Sequence, residues 1–191
     1  GLRVNVGTEG SGVPILMDKL LDANHMQASD LRLSRLEQTP ATVAFLDGKI
    51  DVLVFASAPE SPMVQMLLQT PGVRLMDFPQ NEAYGRRFPF LTPVTLPRGV
   101  VDLACTVPAN DVRLVASTPS LLTRADTHPA LLQLFAQHAQ TLHSGAGWFN
   151  RAREFPSTRH SELEIAPEAD RAINEPVPLL QRYLPFWLAN L

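Results

Sequence analysis

At 191 residues with 45% hydrophobic content, the chain can bury one substantial core or two small ones without help from disulfides or metal. A formal net charge of -3, a charged fraction of 18% and no basic block exclude the electrostatic footprint of nucleic-acid binding. An anionic ligand stays compatible with that charge, because backbone N–H groups and one or two arginines set the local field at a site.

In chain order, residues 2–6 alternate as a strand and run into Gly7-Thr8-Glu9-Gly10-Ser11-Gly12. Val13 to Ala23 then carries helical spacing through Ile15, Leu16, Leu20 and Leu21. Leu31-Arg32-Leu33 predicts a second short strand. Thr39 to Leu46 predicts a helix with Thr39 as N-cap and Pro40 at the first helical position, stopped by Gly48. Ile50 to Phe55 is an apolar run of the kind found in buried parallel strands, ending in the loop Ala56-Ser57-Ala58-Pro59. Pro62 to Gln69 predicts a helix and Val73 to Phe78 a further strand, so the order to this point is βαβαβαβ, the signature of an open parallel sheet with helices on both faces.

Pro79, Pro89, Pro93 and Pro97 then impose mostly extended structure, with room for a short helix near Glu82 to Arg87. A strand over Val112 to Ser117, which could run between lobes, and a long helix over His128 to His143 follow. Ala130, Leu131, Leu134, Phe135, Ala139 and Leu142 form one side of that helix. The expected division is a complete α/β lobe over residues 1–110, carrying the glycine loop, and residues 111–191 as the remainder of a second lobe with a C-terminal apolar segment. No stretch reaches the roughly 20 continuous apolar residues of a membrane span. The abrupt start at a strand, without a charged leader, suggests a processed or truncated piece of a longer protein.

The chemistry resides mainly in the glycine loop. A strand-to-helix turn with three glycines lets backbone approach a ligand, and the helix that follows presents unpaired N–H groups with partial positive charge, a place for a phosphate or carboxylate. The same loop also reads as a bare tight turn. It is not a Walker A loop, since Val13-Pro14 follows Gly12 where lysine and Ser/Thr would have to stand.

Catalytic and metal readings are weaker. Ser11 lies outside a Gly-x-Ser-x-Gly elbow. His128, His138 and His143 lack the offsets of three or four that place two ligands on one helix face, while His25 and His160 stand alone. Glu82, Glu154, Glu162 and Glu164 have no electrophile paired with them. Arg86-Arg87 beside Tyr84 could clamp a carboxylate but reads better as surface. The lone Cys105 reads as a small buried hydrophobe. No enzyme activity, cofactor or metal is expected. The apolar, aromatic end from Leu179 to Leu191 reads equally as a packing segment or the approach to a membrane.

Val4-Asn5-Val6-Gly7-Thr8-Glu9-Gly10-Ser11-Gly12, Leu46-Asp47-Gly48-Lys49-Ile50-Asp51-Val52 and Pro59 with a helix after it together resemble the solute receptors of TAXI-type TRAP transporters. Thr95-Leu96-Pro97-Arg98-Gly99 and Val112 to Thr123 continue the likeness. Gln181 to Ala189 is similar to a branch whose chain goes on into a hydrophobic anchor. The resemblance implies a type II periplasmic-binding-protein-like α/β fold with two lobes, one incomplete, because members carry a leader and a first half-lobe upstream of the position matching Gly1. It also implies a periplasmic or other extracytoplasmic location, transporter membrane subunits as partners, and a small anionic ligand such as an amino acid or dicarboxylate.

The implied ligand site is Thr8, Glu9, Gly10, Ser11 and Gly12 facing Phe55, Ala56, Ser57 and Pro59. One departure is Pro97-Arg98-Gly99-Val100-Val101 where many members read Pro-x-Gly-x-Tyr. The effector domain of a transcriptional regulator and an α/β enzyme share such folds, and fold alone does not separate them.

Overall fold

The computed structural model describes residues 1–158 and 163–175. The chain divides into two units, Gly1–Ala58 and a second that begins at Pro59, and each arises from a different sequence pattern.

In the first unit, β1 (Arg3–Asn5) lies between β2 (Arg32–Ser34) and β3 (Val52–Leu53) in a three-stranded parallel sheet of order β2-β1-β3. Val4 stands opposite Leu33 and Val52, and Asn5 opposite Ser34 and Leu53. Parallel strands need crossover helices, which cover the sheet, and the centre of this one is dry: Val4, Asn5 and Val6 are at most 3% exposed. The crossovers are α1 (Gly12–Ala23), which buries Pro14 and Leu21, and α2 (Gln38–Leu46), which buries Ala41 and Thr42.

The α2 helix starts earlier than its expected N-cap at Thr39. The N-cap is Glu37, with Thr39 and Pro40 inside the first turn, where the N–H that proline lacks would have had no intrahelical partner. After α2, Gly48 adopts φ +71°. This lets the N–H groups of Lys49 and Ile50 turn back onto the Ala44 carbonyl at 2.8 and 3.3 Å.

The apolar run Ile50–Phe55 yields only two strand residues, although Asp51 and Val54 also donate to the Arg3 and Asn5 carbonyls of β1, both at 2.9 Å. Pairing stops there because β1 itself ends where the glycine loop turns away. The β1–β3 edge is clamped by Arg3, whose backbone N–H and Nε donate to Asp51 Oδ2 at 2.8 and 3.0 Å while Nη2 reaches Oδ1 at 2.5 Å.

In the second unit, α3 (Pro62–Gln69) begins as its sequence predicts, with Pro62 in the first turn and the Ser61 hydroxyl accepting the Val64 N–H at 3.4 Å. Next come α4 (Asn81–Arg87), β4 (Leu91–Leu96), β5 (Val112–Ser117), α5 (Pro129–His143) and α6 (Pro167–Asn174). The β4 and β5 strands pair antiparallel, Leu91 opposite Ser117 and Leu96 opposite Val112. Position 110 falls in the connection between them. Buried Asn81 donates to the carbonyls of Val94 and Leu114, one in each strand, both at 3.2 Å. At Gly85 a Cβ would come within 2.7 Å of Pro93 Cδ, so only glycine allows this close approach of α4 to β4.

Several expectations are corrected here. Val73–Phe78 is not a strand. It meets β5 through one backbone bond, Phe78 N–H to the Arg113 carbonyl at 2.8 Å, while the Asp77 carboxylate takes the Arg113 N–H at 2.7 Å in place of a backbone carbonyl. A side-chain acceptor thus takes the place of a ladder bond beside β5, and the parallel sheet of the first unit has three strands.

Cys105 is exposed, not buried. It sits in a turn of the β4–β5 connection, where its N–H donates to Asp102 Oδ1 at 2.8 Å, and a turn tip has no core to join. On α5, Ala136 is buried while Leu131, Phe135 and Leu142 are exposed. The segment from Leu179, His160 and Glu162 lie outside the described residues. Among the described residues no helix is long and apolar enough to cross a membrane.

Candidate functional site

At the carboxyl ends of the three parallel strands the first unit carries an open cavity of about 330 Å3. Ligands collect at this edge of open α/β sheets, since the loops leaving successive strands converge there. The β1 strand and the loop after it supply Asn5, Gly7, Thr8 and Ser11, and the first turn of α1 supplies Val13. The segment after β2 supplies Leu36, Glu37 and Gln38, and β3 with its following loop supplies Leu53, Val54, Phe55 and Ala56.

The glycine loop is shaped by backbone. Gly7 and Gly10 adopt φ +78° and +83°, left-handed values that favour glycine. Thr8 and Ser11 close the turn, because the Ser11 N–H and hydroxyl both donate to the Thr8 carbonyl, at 3.2 and 2.8 Å. Ser11 is the N-cap of α1 yet makes no side-chain cap bond. Among the described residues the N–H groups of Gly12 and Val13 meet no acceptor, as expected for a first helical turn.

A second helix start reaches the same cavity. Glu37 is the N-cap of α2, again without a side-chain cap bond, and neither helix has an acidic residue in its first turn. Two helix N-termini, each equivalent to roughly half a positive charge, therefore border one cavity, the α2 end offset by the Glu37 carboxylate at its N-cap. Asn5, 1% exposed, fixes the second of them. Its Oδ1 accepts from the Ser34 hydroxyl at 3.1 Å and the Leu36 N–H at 2.8 Å, and its Nδ2 donates to the Leu36 carbonyl at 3.3 Å. Arg35, between β2 and α2, pairs with Glu9 of the glycine loop at 3.2 Å.

Of the residues named from the sequence, Thr8, Ser11, Phe55 and Ala56 line the cavity together. Glu9, Gly10, Gly12 and Ser57 are not among its walls, and Pro59 opens the second unit. Sequence reasoning passed over Leu36, Glu37, Gln38 and the anchoring role of Asn5. The strand order contained that information: β2 lies parallel beside β1, so the segment after β2 must emerge at the edge where the glycine loop does. Arg86 and Arg87 lie exposed in the last turn of α4, where cations complement the helix dipole. His128, His138 and His143 are exposed, and among the described residues no three His, Cys, Asp or Glu side chains gather to hold a metal ion.

An open parallel α/β sheet with a solvent-accessible cavity at its carboxyl edge, lined by apolar side chains such as Leu36, Leu53, Val54 and Phe55 and by polar Asn5, Thr8, Ser11 and Gln38, defines a domain suited to holding a small solute. The chain belongs to the NMT1-like family, whose model matches residues 1–136. This is a binding-protein family of the periplasmic-binding-protein type, generally non-enzymatic and typically extracytoplasmic, with a solute-binding role. No curated protein matches the chain.

Proposed function

We propose that this chain is the solute receptor of a TRAP-type membrane transporter of the TAXI kind. In this reading it binds a small anionic metabolite, a carboxylate such as an amino acid or a dicarboxylate, and delivers it to the transporter's membrane subunits without chemical turnover. Residues 1–110 form the lobe that carries the glycine loop, and residues 111–191 contribute to the other. The protein works in the periplasm or another extracytoplasmic space, with a membrane anchor beyond its C-terminus. The ligand's anionic group meets the glycine loop, with Thr8, Glu9, Gly10, Ser11 and Gly12 on one side and Phe55, Ala56, Ser57 and Pro59 on the other.

The observation that carries this reading is the start of α1, with no acidic residue in its first turn, at the cavity on the carboxyl edge of the sheet in a chain of a solute-binding family. Unpaired first-turn N–H groups attract an anion, and each charge-assisted hydrogen bond contributes roughly 1.5 to 3 kcal/mol. The Ser11 hydroxyl can turn to a ligand at low cost, since the Thr8 carbonyl keeps the Ser11 N–H when the hydroxyl leaves. Thermal unfolding of the full-length chain across amino acids, dicarboxylates and inorganic phosphate tests the proposal. A ligand that binds the folded state raises the midpoint with concentration. A midpoint unmoved by every carboxylate at millimolar concentration would contradict it.

A further inference from the structure

We draw no further inference here: the strongest candidate, the apolar face of α5 on which Leu131, Phe135 and Leu142 stand exposed, carries nothing because nothing in the structure shows what covers it.

Discussion

Asn5 and Leu36 are joined as if the sheet continued past its last strand residue: the Asn5 side-chain amide accepts the Leu36 N–H at 2.8 Å and donates to the Leu36 carbonyl at 3.3 Å. One side chain thus satisfies both backbone groups of a residue at the cavity wall, and Ser34 adds its hydroxyl at 3.1 Å. Asn5 is 1% exposed, so it makes these bonds without competition from water on its own side.

Asn5→Leu should accordingly destabilise the first unit, by about 1 to 3 kcal/mol in total, since the Leu36 and Ser34 partners are only partly buried and can find water in part. It should also loosen the start of α2. A lower urea midpoint, with faster amide hydrogen exchange at Leu36, is the expected result. An unchanged midpoint would show that the Leu36 backbone is held by something else.

Gly10 and Gly12 should respond oppositely to alanine. A Cβ at either meets nothing within 4 Å, but Gly10 has φ +83° and Gly12 has no left-handed φ. Gly10→Ala should cost about 1 to 2 kcal/mol in backbone strain. Gly12→Ala, in the first turn of a helix, should be neutral or stabilise by up to about 1 kcal/mol through the unfolded chain. Midpoints that move together would contradict this account of the loop.

Acid should weaken the two arginine clamps. Hydrogen bonds from the Arg3 side chain, then from its backbone, hold the Asp51 carboxyl well below the usual carboxylate range, and Arg113 lowers Asp77 in the same way. A folded-state pKa below the unfolded value contributes stability above the ordinary carboxylate pKa of about 4, which is lost as pH falls below it. The unfolding midpoint should therefore be nearly flat for these groups down to about pH 5 and drop below about pH 4. The slope should shrink in Asp51→Asn, modestly, since both pairs are partly exposed. An identical acid profile in Asp51→Asn would remove the clamp from the account.

Gly85→Ala should push α4 off β4, because the added carbon would sit 2.7 Å from Pro93 Cδ and 3.3 Å from the Leu91 carbonyl oxygen. Overpacking of this kind costs typically about 1 to 3 kcal/mol. Denaturant titration, together with exchange rates in β4, would show it. A midpoint equal to wild type would mean that α4 shifts freely.

The first unit was the more legible in sequence, because each of its signals was local. The alternation of residues 2–6, the glycine punctuation and the apolar spacing of Val13 to Ala23 act over a few residues, and β1, its loop and α1 fall within a residue or two of their expected bounds. Val73–Phe78 misled because the pattern of an inner strand does not reveal that Asp77 and Arg113 will replace backbone pairing by a side-chain bond across 36 positions. Part of the cavity was legible for the same reason: the glycine loop and Phe55-Ala56 carry local signals. Glu37 carries none, and it becomes a wall residue only through the parallel pairing of β1 with β2 and the grip of Asn5 on Leu36.

The central claim is that the glycine loop at the head of α1 holds a small carboxylate. Calorimetric titration of the full-length protein, wild type beside Ser11→Ala, with amino acids and dicarboxylates tests it most directly. Ser11→Ala should weaken binding about tenfold or more, as the loss of one charge-assisted hydrogen bond requires. Equal affinity in the two proteins would contradict the claim, as would the absence of any binding to the wild type.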